Sequence, residues 1–339
     1  MHRILALAIV SALTIGATAH AQEKSIIVTP DNFVRAETDM YFAKYVSQGS
    51  FGKITHERNA PFVDDQKVVR MNRDTLYSAG VFDLDAGPVT IKLPDIGKRF
   101  MSLQVLSEDQ YTLEVDYAPA TVTLDKAKVG TRYVFTIVRT LANPDNPSDM
   151  NAAHKAQDAV VVHQAAKGLF EIPNWDSASR DKVREALSKL SELGASPDRS
   201  FGTKEQVSPL DFTVGAAVGW GGNPVYAAKY LIVTPKLNDG KTVYKLMVKD
   251  VPVDGFWSIS VYNAKGFFEK NDLNAYSLNS LTAKPNPDGS YTIQFGGCAK
   301  ATLNCLPTAA GWNYAVRLYR ARKELLEGRW SFPEAKPVK

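Results

Sequence analysis

His154 and Asp158 stand four residues apart, a spacing that on a helix puts both side chains on one face. A carboxylate that orients an imidazole makes a workable general base, so this pair is the catalytic candidate. An ordinary surface pair is the other reading of the same spacing. The densest polar group is Asn72, Arg73, Asp74, Thr75 and Tyr77. At a strand end these residues can bind an anionic or hydroxyl-rich ligand, with Arg73 offering a planar fork of donors. They can equally serve structure: Asn72 and Asp74 by bonding their own backbone in a turn, Arg73 by pairing with Asp74 or Asp83. Glu108 and Asp109 follow an apolar strand, and at its end both can reach a cleft. Two carboxylates there can divide acid and base roles if their environments separate their pKa values; as loop acids they would only be solvated. Trp220 and Trp312 adjoin glycines in predicted loops and could stack on a ligand, whereas Trp257 lies in an alternating strand and reads as core. Core or rim packing is the alternative for Trp220 and Trp312.

Standard catalytic signatures are missing. There is no G-x-S-x-G elbow, H-E-x-x-H, P-loop or G-x-G-x-x-G, and Gly219-Trp220-Gly221-Gly222 has its glycines at the wrong spacing for a phosphate turn. His154 and His163 read as sharing a helix, where about 100° per residue sets them on opposite faces and denies them a common metal. No metal or cofactor is expected. The net charge is +4, with Lys and Arg spread along the chain, which argues against nucleic acid and against an anionic membrane surface.

Residues 1–21 read as a cleavable export signal. A basic start, the apolar run Ile4–Val10 and Ala19-His20-Ala21 form the pattern of a signal-peptidase site, with the mature chain starting at Gln22. The run is short of the ~20 residues that span a bilayer. A periplasmic or secreted location makes a disulfide between Cys298 and Cys305 the structural expectation, stapling a short loop with a gain of about 2–3 kcal/mol. A redox or metal pair more often uses the tighter C-x-x-C spacing.

These residues need elements to hold them. Thr29-Pro30-Asp31 reads as a helix start, with Phe33, Ala36, Met40 and Ala43 at helical spacing. Strands are expected at 68–71, 89–93, 100–106 and 132–138, the last apolar on both faces and so placed between layers. After the turn-rich 143–148 the pattern is helical to about Lys167, again after Asp176 or Ser177, and between Lys204 and Val218. Strands return at 241–248, 256–262, 291–295 and 313–319. In Trp257-Ser258-Ile259-Ser260-Val261 serines alternate with large apolar residues, as when one face is buried, and Arg317 falls on the face away from Tyr314, Val316 and Leu318. The layout is a helix plus β domain over 22–147, a helical connector over 148–220 and a second β domain over 221–339.

Two stretches carry a family resemblance. Arg70-Met71-Asn72-Arg73-Asp74-Thr75-Leu76-Tyr77-Ser78 with Asp83-Leu84-Asp85-Ala86-Gly87-Pro88-Val89 resembles the DUF1254 domain. Val253-Asp254-Gly255-Phe256-Trp257-Ser258-Ile259-Ser260-Val261-Tyr262, Asp288-Gly289-Ser290, Asn304-Cys305-Leu306-Pro307 and Arg317-Leu318-Tyr319 resemble the DUF1214 domain. The resemblance implies an exported bacterial protein of β-rich α+β class, with two β-sandwich-like domains joined by the helical connector. Cys305 stands where many DUF1214 sequences have Trp, which implies that the disulfide with Cys298 replaces that ring's packing.

Two functions fit. One is a periplasmic module that binds a small molecule or an envelope protein, with no nucleic acid and no membrane insertion after cleavage; homo-oligomer formation is compatible with it. The other is a hydrolase or lyase of non-standard site, with His154 as base, Asp158 orienting it, and Asn72, Arg73 and Tyr77 holding substrate.

Overall fold

Alternating apolar strands in the first half close into two facing sheets. The computed structural model describes residues 24–66, 69–194, 196–299 and 302–338. The expected signal segment, and Val68 of the expected strand 68–71, lie outside these. In the first half, α1 (Phe33–Ser47) precedes β1 (Thr55–His56), β2 (Thr75–Asp83), β3 (Val89–Leu93), β4 (Met101–Ser107), β5 (Thr112–Tyr117), β6 (Ala120–Leu124), the short α2 (Lys126–Val129) and β7 (Tyr133–Leu141). The connector holds α3 (Pro147–Asp158), β8 (Val161–Gln164), α4 (Ser177–Ser191) and α5 (Pro209–Gly219). The second half contains β9 (Ala228–Val233), β10 (Tyr244–Val248), β11 (Trp257–Tyr262), β12 (Ser277–Asn279), β13 (Tyr291–Phe295), β14 (Cys305–Leu306), β15 (Asn313–Tyr319), α6 (Lys323–Leu326) and β16 (Lys336–Pro337).

The first sandwich packs the sheet β1-β2-β7-β4-β5 on the sheet β6-β3-β8. Its core sets Phe82, Leu103, Val105, Val134 and Val138 against Val89, Ile91, Leu93, Val122 and Leu124. All nine residues of β7 are buried, as its two apolar faces require: one meets this core, and the other meets α1 through Phe42, Tyr133, Phe135 and Ile137. The second sandwich packs β14-β13-β10-β16 on β12-β11-β15-β9, with Leu246, Ile293 and Phe295 facing Trp257, Ile259, Val316 and Leu318. The chain is thus α+β and rich in antiparallel strands. Cys298 and Cys305 form a disulfide beside β13 and β14.

Several expectations change. The helix expected to run to Lys167 stops at Asp158, because Val161 and Val162 pair with the open edge of β3; His163 lies opposite Thr90, not on the helix of His154. The connector is therefore helical only in part, since it supplies a strand to the first sandwich. The stretch 68–71 is no strand among its described residues: Arg70 takes a left-handed φ of 53° in a turn. The first helix begins at Phe33, with Thr29 to Asn32 folded as a turn. Trp312 is wholly buried, with its ring centroid 5.3 Å from that of Phe295.

The largest departure is the serine face of β11. It is not solvated: all six residues of the strand are buried, because this face meets the first sandwich. Asp74 of the first half is wholly enclosed there and accepts from Asn279 Nδ2 at 3.0 Å. Arg317 reaches the opposite way, donating to Ser260 Oγ at 3.0 Å, Tyr262 OH at 2.8 Å and the Arg70 carbonyl at 2.8 Å. Burial pushes the Asp74 carboxyl up, while Arg317, Ser258 and Asn279 oppose that shift. Beside this polar seam Phe100 and Leu141 pack on Phe256 and Tyr319.

A second enclosed charge cluster ties α1 down. Glu37 is buried under Arg184 of α4, with Arg184 Nε donating to it at 2.9 Å. Asp39, also buried, accepts from Trp175 Nε1 at 2.7 Å, and its Oδ1 has no partner among the described residues. Burial pushes the Asp39 carboxyl up to about 7; Trp175 opposes, nearby Glu108 reinforces, and Arg35 opposes.

Two outcomes follow from these enclosures. Arg317→Met strips the cation from buried Asp74 and should cost about 3–5 kcal/mol of unfolding free energy in a urea titration at neutral pH. A loss under about 1 kcal/mol there would mean that the seam does not depend on this charge. For Asp39 the folded pKa lies above the ordinary carboxylate value, so folding favours the protonated form. That contribution is present in full below about pH 4 and is lost as pH rises through about 7. Asp39→Asn cannot ionise and keeps an acceptor for Trp175. Its Tm should exceed that of the parent by most at pH 8, by less at pH 5, and by nothing near pH 4; a lower Tm at pH 8 would contradict the burial argument.

Candidate functional site

The short strand β1 pairs with the edge of β2, Thr55 opposite Ala79 and His56 opposite Ser78. Because side chains alternate across a strand, Thr55, Glu57, Tyr77 and Ala79 share the face that α1 covers, while His56 and Ser78 share the other. On the α1 side the helix ends at Ser47, capped by Gln48, and its last turn does not close onto the sheet. A cavity of about 190 Å³ remains, walled by Tyr45 and Gln48 from the helix end and by Thr55, Glu57, Tyr77 and Ala79 from the strands, with His56 at its border. Burial pushes the Tyr45 hydroxyl well above its ordinary range, so it stays a neutral donor. The walls therefore offer phenol, hydroxyl, amide and carboxylate groups around a small apolar floor.

On the opposite face His56 Nδ1 lies 2.8 Å from Ser78 Oγ, and Gln157 Nε2 donates to that same oxygen at 3.1 Å. Burial lowers the His56 pKa and Arg58 lowers it further against Asp158, so the ring is neutral at pH 7. A hydroxyl beside a neutral imidazole has the form of a nucleophile and its base. Ser78, however, is only 1% exposed and already bonded to Gln157, so no substrate reaches it. The pairing fixes β1 to β2 and α3. His56 was not singled out by its neighbours in sequence; only the strand register brings it here.

His154 and Asp158 occupy the same side, and both turn to Arg58. His154 Nε2 donates to the Arg58 carbonyl at 2.7 Å. Asp158 forms an ion pair with the Arg58 guanidinium, which holds its carboxyl below the usual range. A competing cation from β1's flank thus takes the carboxylate that helical spacing assigned to His154. Neither residue lines the cavity.

The Asn72–Tyr77 group divides. Asn72 Oδ1 accepts from the Asp74 backbone N–H at 2.8 Å, the turn-forming role open to it; its Nδ2 donates to Tyr77 OH at 3.2 Å and Tyr319 OH at 3.0 Å. Arg73 pairs with neither Asp74 nor Asp83. It donates to the Pro61 carbonyl and lies over the Tyr276 ring at 5.4 Å, and Asp83 is taken by Arg132 at 3.0 Å. Of this group Tyr77 alone borders the cavity, and Asp74 belongs to the seam.

Glu108 and Asp109 sit at the other end of α1, both engaged by Arg35 at 3.5 Å and in a shorter contact respectively. The carboxylate that Glu108 faces is Asp39, not its sequence neighbour. The signal for Asp39 lay in its position three after Ala36, on the buried stripe of the helix. Gln110 follows with φ 68° and a buried amide that has no partner among the described residues. Trp220 stacks on Tyr41 at 4.3 Å and donates to Thr38 Oγ1 at 3.0 Å, which closes α1 onto the sheet and leaves its ring half-buried. The described residues contain no cluster of three or more His, Cys, Asp or Glu that could hold a metal.

Comparison with known proteins agrees with the two-part architecture. Residues 51–123 match the family described as "Protein of unknown function (DUF1254)", and residues 234–323 match "Protein of unknown function (DUF1214)". No curated protein matches the chain. Among solved structures, the VPA0106 protein from Vibrio parahaemolyticus is 20% identical with a TM-score of 0.68, covering 91% of this chain and 98% of its own. An uncharacterised protein from Burkholderia cenocepacia is 14% identical with a TM-score of 0.51, covering 91% of this chain and 87% of its own. At these identities the likeness concerns the fold. With both family matches in the order that the two sandwiches follow, the chain belongs to the DUF1254/DUF1214 domain-containing proteins.

Proposed function

We propose that this is an exported, periplasmic protein that binds a small polar organic molecule in the cavity between the end of α1 and the β1–β2 edge. The observation that carries the reading is the cavity itself, about 190 Å³ with phenol, hydroxyl, amide and carboxylate walls around Ala79. Small-molecule sites have this form: a concave apolar floor with a few converging polar groups. Export rests on the residues that read as a signal, Met1 to Ala21. The hydrolase or lyase alternative has less behind it, because His154 and Asp158 are held by Arg58 and Ser78 is buried.

Gln48 is exposed at the cavity mouth, so Gln48→Trp fills the opening without disturbing the core. A thermal-shift screen of the purified protein against small carboxylates, sugars and aromatic acids is the test. A ligand at 100 times its Kd should stabilise the protein by about 2.7 kcal/mol, and Gln48→Trp should abolish the shift. A shift that survives Gln48→Trp places binding elsewhere. No shift from any class would turn the search to a protein partner in the envelope.

A further inference from the structure

We propose that the molecule taken in this cavity presents a carboxylate to Tyr77, and that Arg139 behind that ring selects it; the proposal rests on the cavity being a binding site. Arg139 on β7 lies directly opposite Tyr77 of β2 in the ladder, so the two side chains share the face beneath α1. It is 5% exposed. Its Nη1 donates to Gln104 Oε1 at 2.6 Å and its Nη2 to the Gly221 carbonyl at 3.0 Å, both neutral acceptors. The guanidinium carbon lies 5.5 Å from the centroid of the Tyr77 ring. Arg99, Arg132 and Arg184 each hold a carboxylate, whereas Arg139 forms no ion pair among the described residues.

A buried cation answered only by neutral dipoles costs several kcal/mol in the average fold, so its presence calls for a function or a counter-charge. The titratable groups facing it are Tyr45, Tyr77 and Tyr117; the carboxylate of Glu57 stands in the cavity wall beside Tyr77, exposed and so largely screened by solvent. Tyr45, Tyr77 and Trp220 pack together on this face, and a charge acts further through such a wall than through solvent. A ligand carboxylate against Tyr77 enters that field. A neutral group of the same shape gains nothing from it. Arg139 itself is too enclosed to touch the ligand and acts as a positioning residue, through Tyr77.

The test measures selectivity. Benzoate and lactate, and their uncharged counterparts benzamide and lactamide, are titrated calorimetrically into the full protein. The acids should bind at least about tenfold more tightly than the amides. Gln104→Glu then places a fixed carboxylate on Arg139 Nη1, at the loss of the amide's donation to the Gly222 carbonyl, and the acid-to-amide ratio should fall to about twofold or less. Arg139→Met should do the same if it folds, and Gln104→Glu keeps the test available if it does not. Equal binding of acid and amide to the parent protein overturns the carboxylate proposal and leaves the cavity as a site. A preference for acids that persists in Gln104→Glu removes Arg139 from the selection. Heat from none of the four probes overturns the cavity reading and this inference together.

Discussion

Each sandwich buries a charge in the territory of the other, and the rest of the arrangement hangs on that exchange. Asp74 leaves the start of β2 to sit among Asn279 and Ser258 of the second half, while Arg317 leaves β15 to bond the Arg70 carbonyl of the first. Two apolar faces could slide past one another at small cost, since hydrophobic contact has no direction. Enclosed hydrogen bonds cannot slide, because each lost partner strands a buried polar group. The turn of Asn72 over Asp74 is the hinge of the device: it orients the carboxylate, and through Nδ2 it joins Tyr77 of one sandwich to Tyr319 of the other.

The first helix is held in the same manner. Its buried stripe is partly ionic, with Glu37 under Arg184 and Asp39 beside Trp175, so α4 and the segment before it dock onto α1 by specific bonds as well as through Phe33, Ala36, Leu187 and Val214. Among the described residues the opposite end of α1 has no such anchor, and there the helix and the sheet part around the cavity. Rigid support at one end and open space at the other is a common way to build a small-molecule site on secondary structure that does not move.

Much of the fold was legible in the chain. The alternation in 89–93, 291–295 and 313–319, the apolar run of β7, and the caps of the later helices were read at nearly their observed positions, because these patterns report the local period of the backbone. The Asp176 cap, for example, accepts from Ser179 N at 2.8 Å. Among the strands that were missed, β2, β5 and β9 have only ordinary residues at their ends and owe their existence to partners elsewhere in the sheet. The candidate site was legible only in fragments: Tyr77 was named, whereas Tyr45, Gln48, Thr55 and Glu57 lay in stretches without chemical signature.

By itself the sequence determined periods, caps, turns, the disulfide Cys298–Cys305 and the membership of both halves in their families. Only the tertiary structure decided which polar faces are covered. Ser258, Ser260 and Arg317 read as a solvent face because strand alternation shows that two faces differ, not that a second sandwich lies over the polar one. His154 and Asp158 read as partners because helical spacing brings them together, not because it reports that Arg58, about a hundred residues away, arrives between them. Local geometry is written in neighbouring residues; competition for a charge or a face is settled by whatever distant segment packs nearest to it.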